Sequence, residues 1–258
     1  MEMKNMKLTQ SLKKKITSLK HKKYRNQYNQ YVVEGFKITE EAFKTDQEVH
    51  FIVVNVSIAE DRKTKDLFSL AREKSIPIYD ADDRDFQKLS SLETPPGILA
   101  VIEKKKEFIA EDGSYLILDC IKDPGNLGTI IRTADWFGFE NIVIGEGSVD
   151  MYNPKVLQST MGSVFHVHFI QNQNLFSFVR DLKKKGYQII ATSSDGDEEK
   201  VKVHQNPFAV IMGSETVGID KEILKLVDHK YRIKGCGKAE SLNVAVATGI
   251  VLSKLALK

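Results

Sequence analysis

Residues 115–132 read YLILDCIKDPGNLGTIIR. Tyr115–Asp119 (YLILD) is a short run, apolar at consecutive positions and closed by one acid, which predicts a strand buried on both faces. Asp123-Pro124-Gly125-Asn126 is turn chemistry that opens a helix, read over about 127–137. A strand that shows no polar face needs helices on both sides, so this unit predicts a parallel sheet.

The pattern repeats downstream. Strands are read at Asn141–Ile144, Phe165–Ile170, Gln188–Thr192, Phe208–Met212 and Tyr231–Ile233. Helices are read over about 154–161, 174–185, 220–227 and 242–257. Upstream, a smaller set alternates in the same way. Tyr31–Glu34, Phe51–Val54, Ile76–Tyr79 and Gly97–Ile102 read as strands, and Phe36–Lys44, Ile58–Lys74 and Asp82–Leu89 as helices. Residues 104–113 are polar and charged and read as a linker. The expectation is an α/β protein: a basic arm (1–30), a small α/β domain (31–103), the linker, and a parallel-sheet domain (114–258). The length of 258 residues agrees with two domains.

Composition removes whole classes. At 41% hydrophobic and 28% charged residues the chain is neither disordered nor low-complexity. The uncharged stretch from Ser241 to Ser253 is too short to span a bilayer, and the start has no apolar segment of a secretory signal. Cys120 and Cys236 lie far apart without a CxxC, which excludes a disulfide framework and points to a cytoplasmic setting. No GxGxxG follows a strand and no Walker-type loop is present; Gly145-Glu-Gly147 reads as a turn. His166 and His168 share strand spacing but lack further ligands, so no metal is expected.

The net charge of +3 conceals an asymmetry: residues 1–30 carry nine Lys/Arg and one acid, so this segment is +8 and the rest −5. Such a basic stretch suits a polyanion. Tyr24, Tyr28 and Tyr31 interleave with the cations and offer rings for stacking on unpaired bases; the plainer alternative is a solvated helix with its tyrosines on the body.

Three segments follow predicted strands, at the edge where open α/β sheets bind ligands. In the first, Asn126 starts a helix that carries Arg132; a helix cap and a surface charge would look the same. In the second, IMGSETVGID (Ile211–Asp220), Gly213 and Gly218 bracket Glu215, where a strand–turn–helix connection is the alternative. In the third, GCGKAESLNVAVATG (Gly235–Gly249), Glu240, Ser241 and Asn243 open a helix rich in small residues; a Ser-capped packing helix is the alternative.

Taken together, these segments resemble the signature motifs of the SpoU (TrmH-like) RNA ribose 2′-O-methyltransferases of the SPOUT superfamily. N-x-G-x-x-x-R stands as Asn126, Gly128 and Arg132, G-x-E-x-x-G as Gly213, Glu215 and Gly218, and E-S-L-N-V runs from Glu240 to Val244. Ser159–Gly162 is similar to the family's S-x-x-G segment. Tyr31–Gly35 and Gly97–Val101 look like the ends of the L30e-like substrate-binding domain of the ribosomal-RNA branch. The sequence departs from the family pattern at Pro96, Thr216 and Lys234-Gly235.

The resemblance implies a deep trefoil knot in the C-terminal domain, S-adenosylmethionine as cofactor, no metal, a homodimer, and RNA as substrate. It implies catalytic roles for Asn126, Arg132, Glu215, Ser241 and Asn243. Backbone groups around Gly213, Gly218, Ile233 and Leu242 would hold the cofactor. Asn126 would orient the ribose or Arg132, Glu215 would order the site, and Ser241 and Asn243 would hold the motif loops. The family assigns the base role to the arginine, helped by an RNA phosphate; because guanidinium stays protonated, Arg132 is read as a ligand of the phosphate beside the target ribose that takes the proton at most transiently. Ribosomal RNA is the expected substrate. Transfer RNA is the alternative within the enzyme class, a non-catalytic RNA-binding protein of this fold the alternative outside it, and a nucleotide-dependent oxidoreductase lacks its glycine fingerprint.

Overall fold

A computed structural model describes residues 6–197, 207–214 and 217–256. In chain order the elements are β1 (Met6–Lys7), α1 (Gln10–Ser18), α2 (Lys22–Tyr28), β2 (Gln30–Glu34), α3 (Phe36–Lys44), β3 (Val49–Asn55), α4 (Arg62–Glu73), β4 (Ile78–Ala81), α5 (Asp83–Leu89) and β5 (Ile98–Glu103). There follow β6 (Tyr115–Asp119), α6 (Pro124–Trp136), β7 (Asn141–Gly145), α7 (Pro154–Thr160), β8 (His168–Gln173), α8 (Leu175–Lys184), β9 (Gln188–Asp197), β10 (Phe208–Gly213), α9 (Lys221–Leu224), β11 (His229–Tyr231) and α10 (Val244–Ala256). Two units form, one of residues 1–106 with 152–165, the other of 107–151 with 166–258.

The first unit is a five-stranded sheet in the order β1-β4-β3-β5-β2, with β5 antiparallel to both neighbours. The segment expected as a basic arm is built into it. Over residues 6–29, β1 pairs with β4, and Leu8, Ile16 and Leu19 join the core of Phe51, Phe86 and Leu99. Charge counting overlooks this apolar stripe. Arg25 is 4% exposed and donates to the carbonyls of Leu19 (3.0 Å) and Lys20 (2.8 Å). Tyr31 is likewise no base-stacking ring: it is 2% exposed and packs on Tyr152 at 4.7 Å between centroids. Residues 152–165 thus pack with the first unit, α7 lying against β2.

The second unit is the expected parallel sheet, in the order β11-β9-β10-β6-β7-β8. One face buries Tyr115, Ile117, Val143, Ile189 and Ile211 together with Leu175 and Val179 of α8. The alternate residues Leu116, Leu118, Ile142, Val210 and Met212 are buried as well, as are Leu127, Ile130 and Ile131 of α6. Each such side chain contributes about 1.5–3 kcal/mol of transfer free energy.

Several predicted elements differ: the strand expected at Tyr231–Ile233 runs over His229–Tyr231, that at Ile76–Tyr79 over Ile78–Ala81, and the helix at 220–227 shortens to Lys221–Leu224. Phe165–Ile170 does not form one strand: Met161 and Gly162 take positive φ, a 3-10 turn covers Ser163–Phe165, and the strand starts at His168. His166 therefore precedes β8, and its Nδ1 lies 3.1 Å from Oδ2 of Asp135. The helix read from Ile58 starts at Arg62, because the Asn55 side chain caps a separate 3-10 turn at Val56–Ile58. The expected linker forms no helix or strand, and the division between the two units falls within it; past that division the Ala110 N–H donates to Oδ1 of Asn141 at 2.8 Å. Among the described residues no helix is long and apolar enough to cross a membrane.

Candidate active site

All strands of the second unit run parallel, so the segments after β6, β10 and β11 leave the sheet at one edge. These are the three segments the sequence singles out, and side chains tie them together.

After β6, Cys120 holds φ +56°, a left-handed conformation costly outside glycine and frequent beside functional sites. Asp123 caps α6 and Pro124 occupies its first turn, where the missing N–H costs nothing. Asn126 is therefore not the cap; its own N–H donates to Oδ1 of Asp123 at 2.7 Å. Its side chain instead reaches the third segment, where Nδ2 of Asn243 donates to Oδ1 of Asn126 at 2.9 Å. Asn243 also caps α10, its Oδ1 accepting from the N–H groups of Ala245 (3.0 Å) and Val246 (3.3 Å). One asparagine thus starts the last helix and fastens it to the first motif. Asn243, and not Ser241, is the cap; Ser241 is exposed and precedes the helix.

The second segment folds back on itself. Ser214 and Gly218 form an antiparallel bridge, with the Gly218 N–H 2.9 Å from the Ser214 carbonyl. A Cβ on Gly213 would lie 2.4 Å from the Gly218 carbonyl carbon, so the turn admits no side chain there. Asp119 fastens this loop, its Oδ2 accepting from the Asp220 N–H at 2.8 Å. Burial pushes the Asp119 carboxyl above its ordinary range; the Asp220 N–H opposes this, and the charge of Asp220 adds to it. Sequence reading missed Asp119, although one acid closing an apolar strand at the ligand edge was its signal. Glu215 lies outside the described residues.

Arg132 stands on α6, six residues and about 9 Å of helix beyond Asn126. It is exposed, and among the described residues no carboxylate or carbonyl holds its guanidinium. Ile233 is half-buried after β11, and Leu242, just before α10, is 45% exposed. Val217, beside Gly218, is 77% exposed. The second and third segments thus expose the apolar side chains of Val217 and Leu242, and the second adds a tightly turned backbone at Gly213, groups of the kind that suit a ligand with a flat apolar ring and polar edges.

The second unit carries the match that decides the family: residues 113–253 match the SpoU rRNA Methylase family. The chain belongs to it. It is an RNA methyltransferase. Residues 12–100 match the MRM3-like substrate binding domain. The chain is 37% identical over 235 residues to the 23S rRNA (guanosine(2553)-2'-O)-methyltransferase RlmP of Bacillus subtilis, covering 91% of each. A TrmH-family protein of Porphyromonas gingivalis superposes with a TM-score of 0.82 at 29% identity, over 96% of this chain and 97% of that one. The AdoMet-bound rRNA methyltransferase of Sinorhizobium meliloti gives 0.83 at 26%, over 96% and 95%.

The Asn126–Asn243 bond invites a pair of substitutions. Asn243→Ala removes both the cap and the tie, and should cost about 1 kcal/mol of stability together with turnover. Asn243→Asp keeps a good cap but sets a carboxylate against Oδ1 of Asn126. Its thermal midpoint should stay near wild type while kcat falls at least as far as in the alanine variant. If the aspartate variant turns over normally, the tie has no part in the reaction.

Proposed function

We propose that the enzyme transfers a methyl group from S-adenosylmethionine to a ribose 2′-hydroxyl of ribosomal RNA. What carries this reading is the hydrogen bond from Asn243 to Asn126, which joins two of the motif segments at the ligand edge of the sheet. The ribosomal assignment is supported by the family matched and by the Bacillus subtilis relative, whose name specifies a guanosine 2′-O position in 23S rRNA.

When bound, the cofactor supplies a methyl group activated by its sulfonium charge. The residues for holding it are Gly213 and Gly218 through their tight backbone turn, with Ile233, Val217 and Leu242 as apolar lining. Methyl transfer is an in-line displacement, so positioning supplies much of the rate. Arg132 binds the phosphate beside the target ribose. Its guanidinium, a cation in proteins, fixes the ribose through that phosphate and stabilises the charge that develops as the hydroxyl proton passes to a phosphate oxygen or to water. Asn126, held by Asn243, sets the start of the helix that carries Arg132. Glu215 orders the second loop and Ser241 contacts the substrate.

The first unit, with its basic N-terminal segment, grips the RNA, and the second performs the chemistry. The family's trefoil knot belongs to this reading. So does a homodimer built on α6 and α10, which pack together and expose Trp136 (83%) and Val246 (52%). Large exposed apolar groups of this kind favour a protein partner. Sedimentation equilibrium should return twice the chain mass. A cytoplasmic setting suits Cys120 and Cys236, both free thiols.

The direct test is transfer of labelled methyl from S-adenosylmethionine to total RNA from cells lacking the gene, followed by sizing and digestion to nucleosides. Label recovered as a 2′-O-methyl nucleoside in a large ribosomal RNA is the expected result. Label in transfer RNA would overturn the ribosomal assignment, and label on a base would overturn the ribose chemistry.

A further inference from the structure

The basic residues of the N-terminal segment fall into two groups. Three of them hold the fold. Lys13 pairs with Asp85 of α5. Lys20 donates to the carbonyls of Lys88 (2.9 Å) and Ser90 (2.6 Å). Arg25 is buried against the end of α1. In the second group Lys14, Lys22 and Lys23 are exposed and Lys15 is half-buried; among the described residues, no carboxylate forms a salt bridge with these four or with Lys88 of α5. Two of these cations sit over rings instead. Nζ of Lys15 lies 5.3 Å from the Tyr28 centroid and Nζ of Lys23 lies 5.9 Å from that of Tyr24. The two rings stack on each other at 6.4 Å with 19° between their planes.

Of these groups, Lys13, Lys14, Tyr24 and Lys88 border a groove of about 490 Å³ between α1 and α5, and Lys23 sits over the Tyr24 ring. Its lining includes Lys13, Lys14, His21, Tyr24, Asp85 and Lys88. Within this lining Lys13 and Asp85 pair, and the lysine holds the Asp85 carboxyl below its ordinary range. The rim keeps the charge of Lys14 and Lys88. A volume of this size suits a small planar ligand, and an aromatic wall with unpaired cations around it suits a base flanked by phosphates.

We infer that the groove between α1 and α5 takes one unpaired nucleotide of the RNA substrate, its base against Tyr24 and its neighbouring phosphates on Lys14, Lys23 and Lys88. The inference rests on the functional reading above and adds to it a single-stranded contact within the first unit. Duplex RNA cannot use the groove, since its bases are stacked inside the helix.

The test measures fluorescence anisotropy of the full chain with a labelled, non-self-complementary RNA of about 12 nucleotides, within the site sizes of single-strand binders. The same strand annealed to its complement is measured beside it, across a range of KCl. Wild type should prefer the single strand. Tyr24→Ala should weaken that binding about tenfold, the loss of one stacked base, and leave duplex binding unchanged, while Tyr24→Phe should retain it. The triple variant Lys14→Gln, Lys23→Gln, Lys88→Gln should flatten the log–log salt dependence by about 2, at roughly 0.7 per phosphate contact.

Thermal melting checks that the variants fold. Single-strand binding that is absent in wild type, or equal in wild type and Tyr24→Ala, overturns the groove. Methyl transfer to 23S rRNA is followed on the same preparations. If methylation proceeds and Tyr24→Ala changes nothing in the oligonucleotide assay, the groove falls and the functional reading stands. If the groove variants lose oligonucleotide binding but wild type methylates no RNA, the groove stands and the functional reading falls.

Discussion

Arg132→Ala should lower methyl transfer by at least about 10²–10³-fold, the loss typical of removing one preorganised charge from a transition state. S-adenosylmethionine affinity should stay within about threefold, because the cofactor contacts are assigned to other segments. The protein should remain folded: Arg132 is exposed and bonded to nothing among the described residues, and such surface changes usually stay within about 0.5 kcal/mol. A guanidinium that no carboxylate or carbonyl holds among the described residues is available to an external anion. In an enzyme acting on RNA that anion is a phosphate, and the planar fork of arginine matches it in a way that lysine does not. Arg132→Lys should therefore recover only part of the rate. Calorimetry with S-adenosylmethionine and single-turnover transfer to RNA measure the two quantities separately. Near-normal turnover by Arg132→Ala would remove the residue from the mechanism.

The sequence was most informative where local chemistry decides structure. Tyr115–Asp119 and Phe36–Lys44 form their elements with the predicted bounds, since a run of buried apolar residues or a helical stripe between breakers leaves few options. It was least informative where a side chain serves a distant segment. Asn126 stands where a helix cap is expected, yet Asp123 takes the cap and Asn126 bonds to Asn243, 117 positions away. Asp119 reads as the polar end of a strand, and its tie to Asp220 spans 101 positions. Parallel sheets make such partners non-local, because every neighbouring strand arrives through a crossover. The basic segment misled for another reason. Summing charge over residues 1–30 treats Lys13, Lys20 and Arg25 as equal to Lys14 and Lys23, whereas the first three are joined to the fold. The apolar positions Leu12, Ile16 and Leu19, spaced for one helix face, were the sign that this stretch folds.

Gly213→Ala should abolish measurable S-adenosylmethionine binding, weakening it by about 100-fold or more, a loss of roughly 2.7 kcal/mol. Its added methyl would meet the Gly218 carbonyl carbon at 2.4 Å, the Ile219 nitrogen at 2.5 Å and the Gly218 oxygen at 2.6 Å. All three are backbone atoms, so no side-chain rotation relieves the clash. The turn has to open, and with it go the Ser214–Gly218 bridge and the hydrogen bond from the Asp220 N–H to Asp119. Overpacking of this kind typically costs about 1–3 kcal/mol. The damage lies at the last residue of β10, at the carboxyl end of the sheet, so the thermal midpoint should fall while the transition stays cooperative. Gly235→Ala and Gly237→Ala are the controls: a methyl at either position meets nothing within 4 Å, and both should melt like wild type. The contrast separates two uses of glycine in these motifs, close packing at Gly213 and open loop at Gly235 and Gly237. Cofactor titration and thermal melting of the three variants decide it, and binding by Gly213→Ala within about threefold of wild type would show that the closed turn is not what holds the cofactor.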